Sequence, residues 1–375
     1  MFHKRNIFYP EINAFGGEER AILALSKYLH THNVEHRVVC YYDRINFASY
    51  AEWPLEVVQL RPRNFGPAKI IALQRFLNQL AGSSSEQVFL VGLQSAYHAG
   101  PFTRVKYSLR ISDTPSLLSP APTPTTAVKR WYQYLRERMR YALARQGIRK
   151  AACVIATSRY LAKEINDLYG APAVILPIGG KKLEQAHEYR KLKPRETLRF
   201  LSVSRIEHNK RIDWILQSLK ELASSKSSLS KATDWKLDIV GNGSQLSYYQ
   251  NLTRDLGLSE HLVYHGFVTD LELEKIYSQA HIFLMPARQG FGVPALEALE
   301  RKIPVIVHRE SGVSEILEET PWAELFDGEV KNLTIAMKKM IERVLEGSLS
   351  KETFPTIPTE DKWAEQVSKL LRWVI

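Results

Sequence analysis

At 375 residues the chain exceeds one ordinary hydrophobic core, so two domains are expected. Its 45% hydrophobic and 24% charged content describes a soluble globular protein, and the polar start MFHKRN leads into too short an apolar segment for a signal peptide or a membrane span. Cys40 and Cys153 offer neither metal spacing nor a disulfide framework, which fits a reducing cytoplasm. The formal charge of +11 belongs to the first half: residues 1–190 carry 26 Lys/Arg against 14 Asp/Glu, and the remainder 25 against 26.

Strand-like and helix-like segments alternate in both halves, the pattern of parallel sheets wrapped by helices. The strand RNIFYP runs through the loop EINAFGGEE into the helix RAILALSKYLHTH. Gly16 and Gly17 open that helix, where a Gly-Gly turn lets a ligand's phosphates or sugar approach the backbone; tight packing is the other reading. VEHRVVCYY, LEVVQL, QVFLVGL, VKYSLRI, ACVIAT and VILPI supply further strands. The prolines of Ser112 to Thr126 forbid a regular helix there. Lys129 to Lys150 holds eight basic residues and one acidic; Trp131, Tyr134, Leu135, Tyr141 and Leu143 recur at three- and four-residue steps. That is a basic amphipathic helix, either solvated with one core face or suited to an anionic membrane surface or anionic acceptor.

A charged linker, Gly179 to Thr197, precedes the second half. There the strand LRFLSVSR, the helix RIDWILQSLKELA, the strand WKLDIVG, a helix from Gln245 to about Leu256 and the strand LVYHGFV follow one another. The helix LELEKIYSQA, the strand HIFLMP, a loop with a helix opened by Pro294, the strand IPVIVH and the amphipathic DKWAEQVSKLLRWVI complete the chain.

Three stretches could carry chemistry. SRIEHNK places Arg205 and Lys210 five positions apart at the C-terminal end of a strand, the end that faces the ligand crevice in an open αβ sheet. Such a cationic pair can neutralise a diphosphate without metal, and the chain has no Asp-x-Asp run or His/carboxylate cluster at ligand spacing. In IVGNGSQL, Gly241 and Gly243 match two glycines of a dinucleotide fingerprint, but Leu246 stands where the third belongs, so they shape a turn and part of a nucleotide pocket instead. In ARQGFGVPALEALE, Gly290, Phe291 and Gly292 lead into the helix begun at Pro294. Exposed N–H groups at that helix start suit an anionic or oxygen-rich ligand; Glu297, one turn inside, can accept both hydroxyls of a ribose, and Gln289 can bond sugar hydroxyls without charge.

Together these residues resemble the retaining, nucleotide-sugar-dependent glycosyltransferases of the GT-B fold, family 4 (glycosyl transferases group 1) in particular. The resemblance is strongest over residues 198–318 and fainter in FGGEERAILALSKYL, VIATSRYLAKEI and VILPIGG. It implies two Rossmann-like, doubly wound domains facing across a cleft, at residues 1–185 (acceptor) and 186–357 (nucleotide sugar), with 358–375 as a helix crossing back to the first. Carried over by position, Arg205 and Lys210 hold the diphosphate, Glu297 the ribose, Gln289 with the Gly290–Gly292 backbone the transferred sugar, and Gly16 and Gly17 close on the phosphates from the other side. Transfer proceeds with retention by front-face attack, the leaving phosphate helping to remove the acceptor proton, with no metal and no side-chain nucleophile. Three departures stand out. The family has Glu at Gln289; its His before Asp on a first-domain strand is replaced by Ser112, leaving Asp113, with His98 as the other candidate histidine; and Lys302 stands at its usual glycine. The resemblance thus implies a cytoplasmic hexosyltransferase, peripheral to the inner face of a membrane in one reading, acting on a glycan, lipid-linked or protein acceptor. A non-catalytic partner subunit with the same fold is the alternative. Nucleic acid is disfavoured as a partner, because the aromatics among the basic residues share one helix and form no nucleic-acid module.

Overall fold

Buried strands with apolar side chains on both faces organise the chain into parallel sheets, as in αβ proteins whose sheets are covered by helices. The computed structural model describes residues 4–80, 88–100, 105–115, 127–180, 183, 187–224, 229 and 234–374. Residues 116–126 of the proline-rich segment, and part of the charged linker, lie outside them. Two compact units emerge, Met1–Ile178 with Thr359–Ile375, and Gly179–Pro358.

In the first unit, β1 (Arg5–Phe8), β2 (Glu11–Ile12), α1 (Gly17–Thr31), β3 (His36–Cys40), β4 (Tyr42–Asp43), β5 (Val57–Gln59) and α2 (Gly66–Gln79) come first. Next are β6 (Val88–Val91), α3 (Leu93–Ala99), β7 (Ser108–Ile111), α4 (Ala127–Lys150), β8 (Cys153–Ala156), α5 (Arg159–Tyr169) and β9 (Val174–Ile175). The main sheet has the order β5-β3-β1-β6-β7-β8-β9, every pair parallel. The chain runs outward from β1 to β5 and returns to β6 on the other side of β1, so a topological switch point opens at the C-terminal ends of β1 and β6. A two-stranded parallel ribbon of β2 and β4 extends the loops above β1 and β3.

The second unit holds β10 (Thr197–Val203), α6 (Ile212–Ser224), β11 (Asp234–Val240), α7 (Leu246–Asp255), β12 (Leu262–Gly266) and α8 (Asp270–Gln279). It continues with β13 (Ile282–Met285), α9 (Val293–Glu300), β14 (Val305–His308), α10 (Ser314–Leu317), β15 (Ala323–Phe326) and α11 (Val330–Glu346). Strand order is β12-β11-β10-β13-β14-β15, again all parallel, with the switch point between β10 and β13. The last helix, α12 (Glu360–Leu370), belongs to the first unit. Thr359 caps it by accepting from the Lys362 N–H at 3.3 Å, and its Trp363, Ala364 and Val367 are buried where it packs on α1.

Of the two readings of α4, the structure shows a helix with an open first half and a core contact toward its C-terminal end. Trp131, Tyr134 and Met139 are 64%, 56% and 65% exposed, and Leu135 and Tyr141 are also open. Toward its C-terminal end the helix is anchored: Tyr141 stacks on Tyr169 with centroids 5.4 Å apart, Ala144 and Ile148 are buried, and the Tyr107 hydroxyl donates to the Gly147 carbonyl at 2.6 Å. Lys302 takes a left-handed φ of 58°, which explains why glycine suits that turn, and its ammonium sits 3.0 Å from the Phe354 ring centroid. Among the described residues no helix is long and apolar enough to cross a membrane.

Candidate functional site

Because every strand of the second sheet runs the same way, the loops after β10, β11, β13 and β14 gather at one edge. Arg205 is exposed in the loop after β10, and Lys210, half-buried, ends the 3-10 turn His208–Lys210. Lys210 Nζ donates to Gln289 Oε1 at 2.7 Å, joining the β10 loop to the β13 loop across the switch point. Gln289 is braced through its backbone: its N–H donates to Ser311 Oγ at 3.2 Å, and that hydroxyl donates to the Ala287 carbonyl at 3.1 Å. Val313 N–H donates to the Phe291 carbonyl at 2.8 Å, and Arg288 pairs with Glu310 at 2.7 Å. The β13 and β14 loops therefore hold each other, and buried Phe291 offers a ligand only its backbone.

Gly292 caps α9 at a φ of 111°, and a Cβ there would lie 2.6 Å from Met285 Cε, so the turn demands glycine. Glu297 follows on α9, half-buried, its Oε2 accepting from the Tyr277 hydroxyl at 3.4 Å. Gly241 and Gly243 allow a close approach: a Cβ would fall 1.9 Å from the Ser204 carbonyl oxygen and 2.2 Å from that of Ile206. The β11 loop thereby rests on the β10 loop, and Glu207 fastens it by accepting from Ser244 N and Oγ at 3.1 and 2.7 Å. These bonds hold the Glu207 carboxyl below its ordinary range.

In the first unit, Gly16 is the N-cap of α1 and Gly17 its first residue. Gly16 N–H donates to Glu19 Oε2 at 3.1 Å, and the Tyr9 phenol hydrogen-bonds the same carboxylate. Burial pushes the Glu19 carboxyl up, and neighbouring Glu18 adds to it. Tyr9 is pushed up by burial and then by Glu19, Glu18 and Asp113, so the exposed Asp113 after β7 stands within electrostatic reach of this group. Tyr9, Glu19 and Ser311 are absent from the sequence-derived set. Glu19 had a readable signal, the N-cap-x-x-Glu spacing of a capping box, with glycine at the cap hiding it.

His98 is the clear correction. It lies inside the first unit at 3% exposure, with Nδ1 2.8 Å from the Tyr41 hydroxyl and Tyr97 edge-on to its ring, so it is a packed core histidine with no open face for substrate. Burial first, then Lys69, lowers its pKa to about 4. The unfolded chain takes up this proton near the ordinary 6.5, and the folded one only near 4. Stability is therefore lost as pH falls through that window, by up to about 3 kcal/mol for this residue. Urea midpoints followed from pH 7 to 4.5 should fall, and His98→Gln should flatten the slope.

Two sequence families match the chain: "Glycosyl transferase 4-like domain" over residues 16–179 and "Glycosyl transferases group 1" over residues 184–354. The chain belongs to the GT-B glycosyltransferases. Its fold is similar to that of the lipopolysaccharide outer core galactosyltransferase WaaB, with a TM-score of 0.71 at 14% identity over 99% of this chain and 100% of that one. It is also similar to Anabaena HepE, solved with UDP, with a TM-score of 0.67 at 15% identity over 99% and 100% of the two chains. By sequence, this GT-B glycosyltransferase is 29% identical over 148 residues to the GDP-mannose-dependent alpha-(1-6)-phosphatidylinositol monomannoside mannosyltransferase of Mycolicibacterium smegmatis, covering 37% of each chain. An uncharacterized glycosyltransferase of Methanocaldococcus jannaschii is 29% identical over 119 residues, 32% of this chain and 29% of that one. The matches thus span about a third of the length of these curated relatives.

Proposed function

We propose that this chain transfers a hexose-type sugar from a nucleotide-sugar donor to a glycan, lipid-linked or protein acceptor, with retention and without metal, at the cytoplasmic side. The observation that carries the reading is the Lys210–Gln289 hydrogen bond, which brings the Arg205/Lys210 turn and the Gly290–Gly292 helix opening to one edge of one sheet. In this reading Arg205 and Lys210 meet the charge of the diphosphate and stabilise it as the glycosidic bond breaks. Glu297 accepts the ribose hydroxyls. Gln289 and the backbone amides of Gly290 to Gly292 orient the sugar, and Asp113 faces the acceptor beside the Gly16–Gly17 turn. UDP bound to HepE and the GDP-mannose named for the mycobacterial relative support a nucleotide-sugar donor and leave the base open.

Incubation with a panel of UDP-, GDP- and ADP-sugars, read by mass spectrometry for transfer and for donor hydrolysis, tests it. Turnover of one donor class in EDTA is expected; nucleotide binding with no turnover of any donor, unchanged by Gln289→Glu, would instead favour a partner subunit that kept the fold. We also read α4 as the face that meets an anionic membrane, because Trp131, Tyr134 and Met139 are exposed among Arg136, Arg138 and Arg140. Co-sedimentation with phosphatidylglycerol vesicles, lost in high salt and absent with phosphatidylcholine, is the matching measurement.

A further inference from the structure

The β2–β4 ribbon does something that neither the sheet nor the donor edge requires. Arg44 N–H donates to the Ile12 carbonyl at 2.9 Å, and the Asp43 carboxylate accepts from Ile45 N at 3.2 Å and Phe47 N at 2.8 Å. Phe47 is fully buried and anchors the 3-10 turn Phe47–Tyr50, which starts from Asn46 at a φ of 54°. The turn delivers Tyr50 onto Phe15, the residue immediately before Gly16. The two rings stack with centroids 4.4 Å apart and planes within 5°, yet they remain 43% and 39% exposed. The stack covers the inner faces, and both residues keep a substantial exposed surface beyond it. Exposed Asn13, Arg44 and Asn46 lie on the same two loops.

We infer that the Phe15–Tyr50 pair is a stacking platform for a pyranose ring of the acceptor, and hence that the acceptor is a glycan. A pyranose has one face lined by C–H bonds and a rim of hydroxyls. An apolar aromatic plate edged by amide and guanidinium donors complements both, and a rigid plate loses little conformational entropy on binding. The loops are fixed by backbone hydrogen bonds before any ligand arrives, and two aromatics are held in water where a purely structural clasp would bury them. A lipid tail would need a longer apolar track, and a peptide an unpaired strand edge or groove. The position is apt as well: the platform adjoins the Gly16 N-cap, on the edge where Asp113 and Tyr9 stand. This inference rests on the transferase reading above, but binding at the platform needs no turnover.

The test is saturation-transfer NMR of the full chain with methyl α- and β-glycosides of glucose, galactose, mannose and N-acetylglucosamine, compared for wild type, Phe15→Ala, Tyr50→Ala and Tyr50→Trp. Ring C–H protons of at least one glycoside should saturate. Affinity should fall about tenfold or more in each alanine variant, matching roughly 1.4 kcal/mol of lost stacking, and persist in Tyr50→Trp. Thermal shifts with UDP, GDP and ADP should be the same in wild type and the two Tyr50 variants, since the Phe47–Tyr50 turn carries none of the residues assigned to the nucleotide. A wild type that saturates no glycoside, alanine variants that bind glycosides as well as wild type, or a Tyr50→Ala variant that loses glycoside and nucleotide together would overturn the platform. Failure of the donor panel with the platform intact would fall on the transferase reading alone.

Discussion

Lys210→Ala should lower sugar transfer by roughly two to three orders of magnitude, the usual effect of removing one preorganised donor from a site where charge develops. Two losses combine. The ammonium is the charge that the β10 loop sends across the switch point, and its hydrogen bond is the side-chain link that fixes Gln289 Oε1 at 2.7 Å. Without it the Gln289 amide can rotate, while its backbone stays pinned by Ser311. Lys210→Arg restores charge but carries a planar fork in place of a compact ammonium, so partial recovery is expected. Arg205→Ala should cost less, because Arg205 is exposed and its field is screened. Titration calorimetry with the nucleoside diphosphate and steady-state kcat/KM with the active donor decide the matter: Lys210→Ala that binds nucleotide and turns over like wild type would remove Lys210 from the site. Folding should be nearly untouched, since the residue sits in a short surface turn.

Most of the two sheets could be read from sequence because buried parallel strands announce themselves as apolar runs, as in VFLV of β6, IFLM of β13 and VIVH of β14, each buried along its length. β15 is not legible in the sequence for the complementary reason. It is an edge strand, AELF, with half-exposed inner residues and a Glu324 that pairs with Arg343 of α11 at 2.5 Å, so its pattern looks like loop. The β2–β4 ribbon is two residues per strand and has no period to detect. In α4 the spacing of aromatics cannot tell which of them a neighbour covers: Trp131 and Tyr134 lie open, whereas Tyr141 stacks on Tyr169 of α5. His98 could have been placed: Ala96, Ala99 and Gly100 around it are the small residues of a tight crossing, a setting for a packed ring and not for an accessible base. Ser311 and Tyr9 act through partners far away in sequence or on the next loop, which no local pattern encodes.

Trp363→Ala should be the most damaging single substitution for stability in the first unit, costing about 3–5 kcal/mol for the cavity left by a fully packed indole. Trp363 is 2% exposed and carries α12 onto α1. It also covers Arg110, itself 1% exposed, whose guanidinium carbon lies 4.8 Å from the ring centroid. Arg110 Nη1 donates to Glu18 Oε2 at 3.0 Å, and Glu18 sits in the first turn of α1, next to Gly17. The indole therefore supplies both apolar contact and a π face for a cation that has few waters left to solvate it. Arg110→Met should cost less, about 2–3 kcal/mol, because Glu18 keeps partial access to water and favours the positive end of the helix dipole once its partner is gone. Since the two side chains touch, the double variant should fall short of the sum of the singles by about 1 kcal/mol. Urea unfolding of the four proteins measures these terms, and hydrogen exchange at residues 16–19 should accelerate in both single variants if the indole, the guanidinium and Glu18 together hold the glycine turn. Equal exchange there in wild type and Trp363→Ala would confine the role of α12 to packing.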